Sequence, residues 1–307
     1  MNSYLSSLDL IHNTPLIELK SIEEKFHLKC KLLAKVEMFN LGNSVKSRIA
    51  KYMVLESLQR GIINKDTLIV EPTSGNTGIS LSMVLAMLKM KFIAVMPENF
   101  SKERQKLIKA YGGKVILTSK KEGMNGSIKK VQEILKENKN AYSFSQFNND
   151  LNWKTHYLYT GPEIYDQTSK DVDIFISGIG SGGTITGVSK YLKSQKDIKT
   201  IGVEPLSSPL INKGYSSSHK IQGIGANFIP KILDLKYIDE VKMVSDDNAF
   251  KYARMLAKEE GLFVGISSGA CLCAALEVAK ENEGKCIVII LPDNGERYLS
   301  TELVQDE

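Results

Sequence analysis

Short β-branched and aliphatic runs recur along this chain, separated by longer stretches in which apolar positions return every three or four residues. Runs of strand length lie at 32–37, 67–70, 92–96, 114–117, 172–177, 200–203, 240–244 and 286–291. The helical period occupies 45–61, 78–89, 102–111, 126–138, 152–167, 182–195, 246–261 and 268–281. Such alternation predicts βαβ units and parallel sheets. The runs IVEP at 69–72 and IVIILP at 287–292 read as strands buried on both faces, the form parallel strands take under flanking helices. Ser101 is placed to cap the helix that Gly112–Gly113 stops, and Ser245 or Asp246 the helix that ends at Gly261. Gly42 and Asn43 predict a turn, with Ser44 as the cap of the helix behind it. Only 206–229 has weak periodicity with many Ser, Gly and Pro residues; a loop of that length inside a domain points to function.

The length of 307 residues predicts two domains or one large α/β unit. Apolar residues are spread throughout, which excludes disorder. The four cysteines show neither a CxxC pair nor zinc spacing, so no metal site is expected and a reducing compartment is. The net charge of +5 is dispersed: in 129–139, Glu133 and Glu137 interleave with the lysines, a solvated helix face rather than a nucleic-acid stripe. A mild positive field still suits small anions. The first sixteen residues include Asp9 and no basic n-region, so no secretory signal is expected. The apolar stretch 81–96 is broken by Lys89 and Lys91 and is too short for a bilayer. These features predict a cytoplasmic protein without a membrane partner.

Three strand-to-helix junctions carry more small and hydroxylated residues than a turn requires: EPTSGNTG at 71–78, SGIGSGGT at 177–184 and VGISSGA at 264–270. In a parallel sheet such junctions fall at the carboxyl ends of strands, where open α/β folds bind ligands. In the second, Gly178, Gly180, Gly182 and Gly183 let backbone N–H groups approach an anion at a helix start, with the hydroxyls of Ser181 and Thr184 beside them. Phosphate is the natural guest. Gly178, Gly180 and Gly183 equally satisfy the dinucleotide fingerprint, and Glu204 ends the next strand, so an NAD-dependent oxidoreductase is a rival reading. The first junction offers Thr73, Ser74, Asn76 and Thr77 at a helix start, a set suited to a carboxylate. A reactive group could come from Lys46, at the head of an apolar helix, where desolvation would lower its pKa and permit a Schiff base.

NSVKSR, EPTSGNTG, GIGSGGTITG, KIQGIGANFIP, GISSGA and LPDNGERYLSTEL occur in this order. In them the chain resembles the cysteine synthase (O-acetylserine sulfhydrylase) and cystathionine β-synthase family of pyridoxal-phosphate enzymes. The resemblance runs from His12 to Leu303. It implies the tryptophan-synthase-β-like fold (fold type II), with two parallel-rich α/β domains and pyridoxal 5'-phosphate between them. The expected division is 1–146, carrying the Schiff-base lysine and a mobile substrate loop, and 147–307, carrying the phosphate site. By the same resemblance Lys46 forms the internal aldimine and shuttles the Cα proton, while Asn76 bonds the ring hydroxyl oxygen. Gly180, Ser181, Gly182, Gly183 and Thr184 form the phosphate cup. Ser267 faces the pyridine nitrogen, and Thr73, Ser74, Thr77 and Gln146 hold the substrate α-carboxylate.

A serine hydroxyl at the ring nitrogen makes the ring a weaker electron sink than an aspartate would, so β-elimination is favoured over transamination. The implied reaction is β-replacement through an aminoacrylate: O-acetylserine and sulfide give cysteine. The resemblance further implies a homodimer and a serine acetyltransferase as a partner. Ser47 replaces the family's usual aspartate and Leu41 a frequent proline. Asn227 stands where the family has glycine, on a loop bordering the leaving-group side. There it is expected to alter which β-substituent is expelled or accepted; the alternative reading is therefore a β-replacement that consumes cysteine and releases sulfide, with lanthionine, cystathionine or serine as product.

Overall fold

A computed structural model describes residues 4–73, 75–99 and 101–304. In chain order the elements begin with β1 (Leu16–Glu18), α1 (Lys20–Lys25), β2 (Lys31–Val36), α2 (Lys46–Gln59) and β3 (Leu68–Pro72). They continue with α3 (Asn76–Met87), β4 (Phe92–Pro97), α4 (Lys102–Ala110), β5 (Lys114–Thr118), α5 (Gly123–Glu137) and β6 (Ala141–Tyr142). Next come α6 (Leu151–Thr155), a π-helix at His156–Thr160, α7 (Gly161–Gln167), β7 (Ile174–Gly178), α8 (Gly183–Gln195) and β8 (Lys199–Pro205). The remainder is α9 (Leu210–Lys213), β9 (Glu240–Val244), α10 (Asp246–Glu260), α11 (Ile266–Ala279) and β10 (Cys286–Leu291).

All eight expected strands form, within one or two residues of their predicted bounds. The short β1 and β6 and the helices α1 and α9 carry too few residues for a legible period. Ser101 and Ser245 cap as expected, each accepting the N–H three residues on. Ser44 does not: Val45 is the N-cap of α2, without a side-chain bond, and the Ser44 hydroxyl is buried. Among the described residues no helix is long and apolar enough to cross a membrane, and no cluster of side chains could hold a metal ion.

The chain forms two compact units. One takes the residues up to Ile11 together with Asn40–Leu151; the other takes His12–Phe39 and the chain from Asn152 onward. The expected division had one cut, after residue 146. Here residues 12–39 return to the larger unit because β2 pairs in parallel with β10, Leu33 opposite Val288.

The smaller unit holds a four-stranded parallel sheet in the order β5-β4-β3-β6. Its core joins Ile69, Ala94 and Met96 to α2 and α3 through Ile49, Met53, Ile79 and Val84. The larger unit holds a six-stranded sheet, β1-β2-β10-β7-β8-β9, parallel except for the antiparallel edge strand β1. Its central strand β10 is buried at every position, as the unbroken run CIVIIL requires, with α11 packed on one face and Phe175 and Ile185 in the cluster on the other.

Candidate functional site

In the larger unit, β7 ends at Gly178 and the chain turns into α8 through Gly180–Ser181–Gly182. Gly182 has φ +82°, in the left-handed region that suits glycine. The two flanking glycines are needed for closeness instead. A Cβ on Gly180 would overlap the carbonyl oxygen of Gly223, and one on Gly183 would overlap Asn152 Oδ1. Asn152 Nδ2 donates to Ser181 Oγ at 3.1 Å, so this buried amide braces the turn from behind. The result is a glycine-rich turn at the head of a thirteen-residue helix, where the helix dipole and first-turn N–H groups favour an anion. Thr184, in the first turn of α8, has its Oγ1 3.2 Å from His156 Nε2, and His156 Nδ1 lies 3.0 Å from Thr160 Oγ1.

Ser267 is the second residue of α11 and is buried. The loop 223–225 joins its surroundings to the glycine-rich turn: a Cβ on Gly223 would stand 3.8 Å from Ser267 Oγ, and Gly225 N–H donates to the Ile179 carbonyl at 2.9 Å. Asn227 lies exposed on the continuation of this loop.

Glu204 decides against the dinucleotide reading. It is buried and accepts from the N–H of Ile211 (2.9 Å), the N–H of Asn212 (3.0 Å) and Asn212 Nδ2 (2.7 Å). Both its oxygens are engaged at the start of α9, so the carboxylate has a structural task in the fold.

In the smaller unit, Lys46 opens α2 and Asn76 opens α3, and both are half-buried. Their first turns lie side by side, since the buried hydroxyls of Ser47 and Ser80 are 3.3 Å apart. Thr73 caps α3 from the preceding loop, its Oγ1 accepting from Gly78 N–H at 3.0 Å. Thr77 Oγ1 donates to Gln146 Oε1 at 2.7 Å, although 69 residues separate them in sequence. Ser74 lies outside the described residues. Two residues that the motifs did not single out stand close by. Arg104 Nη1 is 3.8 Å from where a Gly75 Cβ would be. Glu71 is buried beneath residues 143–146; burial pushes its carboxyl above the usual glutamate range, and bonds from that loop pull it back. A charged residue in an otherwise apolar strand is the signal that could have found it.

The structure thus gathers the predicted residues into two groups: the cup and Ser267 in the larger unit, and Lys46, Asn76, Thr73, Thr77 and Gln146 in the smaller. A glycine turn at a helix N-terminus suits a phosphate, and a neutral buried hydroxyl such as that of Ser267 suits donation to an uncharged ring nitrogen, so the residues present fit pyridoxal phosphate.

Comparison with known proteins agrees with that fit. The family described as pyridoxal-phosphate dependent enzyme matches residues 8–293. Cysteine synthase B of Campylobacter jejuni is 49% identical over 296 residues, covering 96% of this chain and 97% of the relative. The crystal structure of a cysteine synthase from Entamoeba histolytica superposes with a TM-score of 0.96 at 40% identity, covering 100% of this chain and 93% of the other. A hydrogen sulfide-producing enzyme from Fusobacterium nucleatum superposes at 0.92 with 43% identity, covering 97% and 100%.

Proposed function

This chain belongs to the pyridoxal-phosphate dependent enzymes, and from that premise we propose that it makes cysteine from O-acetylserine and sulfide by β-replacement. The observation that carries the reading is the glycine-rich turn at the head of α8 in a chain nearly half identical to a cysteine synthase. When bound, pyridoxal phosphate supplies an electron-withdrawing ring that acidifies the substrate Cα.

The chain's residues supply the rest. Gly180, Ser181, Gly182, Gly183 and Thr184 hold the phosphate, and Asn76 bonds the ring hydroxyl oxygen. Lys46 would hold the cofactor through Nζ, and the same atom would take the substrate's Cα proton. Thr73, Ser74, Thr77 and Gln146 hold the α-carboxylate, which orients the Cα–H bond toward that nitrogen. Ser267 offers the ring nitrogen a hydroxyl rather than a carboxylate, which favours prompt loss of the β-substituent over transamination. The reading carries with it a cytoplasmic homodimer and a serine acetyltransferase as candidate partner.

The test is the visible spectrum of the purified protein. Lys46→Ala should abolish both the lysine-dependent absorbance of the bound cofactor and cysteine formation. O-Acetylserine should shift the wild-type band, and sulfide should restore it with release of cysteine. A protein that is colourless and binds no pyridoxal phosphate would overturn the reading.

A second reading, cysteine as substrate with sulfide as product, is favoured by Asn227. Its amide sits exposed on the loop that follows Gly225. The likeness to a sulfide-producing enzyme supports the same direction. Asn227→Gly should then lower sulfide release from cysteine at least severalfold while sparing turnover of O-acetylserine. Unchanged rates with both substrates would sink this reading.

A further inference from the structure

Glu71 interrupts the apolar strand β3 with a carboxylate that is only 1% exposed. It accepts from Ser143 Oγ and Phe144 N–H, each at 2.9 Å, and from the N–H groups of Ser145 and Gln146, each at 3.4 Å. Every one of these partners is a donor, so an ionised carboxylate satisfies them all and a neutral amide cannot. Three successive backbone N–H groups converging on one anion make a nest, a shape that chains more often wrap around a bound phosphate or metal cluster. Here the anion is the protein's own. Ser145 adopts φ +53°, a left-handed conformation that a residue other than glycine takes only when its surroundings impose it.

The nest ends on Gln146, whose side-chain oxygen is taken by Thr77 Oγ1 at 2.7 Å. With that oxygen occupied, the amide turns its N–H groups to any further partner, the polarity a carboxylate needs. Glu71 and Thr73 lie two residues apart at the end of β3, and Thr73 holds the first turn of α3, which carries Thr77. One buried carboxylate therefore fixes the loop on one side of the Thr77–Gln146 pair, while its own strand fixes the other.

We infer that Glu71 is a positioning residue for recognition of the substrate α-carboxylate, acting by folding 143–146 into the shape that sets Gln146 against Thr77. This rests on the proposed assignment of Thr77 and Gln146 to that carboxylate.

The experiment uses the holoenzyme of wild type and Glu71→Gln. The visible band is titrated with L-serine and with L-serinamide, which lacks the carboxylate, and steady-state rates are measured with O-acetylserine. Wild type should prefer serine to serinamide. Glu71→Gln should weaken serine binding by about tenfold, equivalent to roughly 1.4 kcal/mol, and raise KM for O-acetylserine similarly. Its serinamide affinity, cofactor content and kcat should stay within about twofold. Ser143→Ala, which removes one donor and leaves the carboxylate, should shift the same parameters in the same direction by less; it decides the matter if Glu71→Gln does not fold. Equal losses for serine and serinamide, or none in either variant, would overturn the role of Glu71. A wild type that binds both ligands equally would instead overturn the carboxylate assignment, and the inference with it.

Discussion

Each cysteine of this chain is kept out of its chemistry by burial. Cys30, Cys271, Cys273 and Cys286 are all buried and free. Desolvation pushes the Cys271 thiol up to about 12, and those of Cys273 and Cys286 to about 11. The thiolate, not the thiol, is the nucleophile, so none of these groups competes with an incoming sulfide for substrate. The folded protein should therefore give no fast reaction with a chromogenic disulfide at pH 8, and four thiols after denaturation in urea. Between about 9 and 11 the folded state keeps thiol protons that the unfolded state releases, so the contribution of these groups to stability falls as pH rises through that window. Glu204 teaches a complementary lesson at the same scale. In sequence it stands where a ribose-binding acid would stand; in the fold its oxygens cap α9. Spacing identifies a residue's place along the chain, whereas its hydrogen-bond partners identify its task.

At the scale of elements, the decisive contact is that of α8 with the segment behind it. The helical period at 152–167 is real, but the folded segment is α6, a π-helix and α7 in succession. An apolar period cannot distinguish an i,i+4 ladder from an i,i+5 bulge, because both keep one face inward. The bulge carries His156 to Thr184, and Gly187 permits the approach: a Cβ there would overlap the Trp153 carbonyl oxygen and lie 2.7 Å from His156 Cβ. Gly187→Ala should cost about 1–3 kcal/mol, the usual range for overpacking a close interface, read as a lower urea midpoint. With the phosphate cradle proposed at the head of α8, the same variant should retain pyridoxal phosphate less well on dialysis. A normal midpoint with normal cofactor retention would show that the two segments can part without consequence. The caps follow the same division: Ser101 and Ser245 were legible because each needs only its own turn. Ser44 was misleading because α2 begins one residue later than its hydroxyl requires.

At the scale of the whole molecule, the apolar runs were enough for the class of fold and the eight main strands, and the glycine junction marked the turn at 180–183 that opens α8. All of these are short-range signals: a strand's burial is written in its own residues, and a glycine turn in a few consecutive ones. The ordered motifs carried the family and its chemistry for the same reason, since each is a contiguous stretch whose residue types the reaction requires. The folded chain alone decided that β2 lies between β1 and the distant β10, that Thr77 meets Gln146 across 69 residues, and that Glu71 gathers the loop 143–146. Nothing local couples these partners. They are brought together by the order of strands in the two sheets, which sets strands distant in sequence side by side, and by the need of buried donors and acceptors to find one another once water is gone.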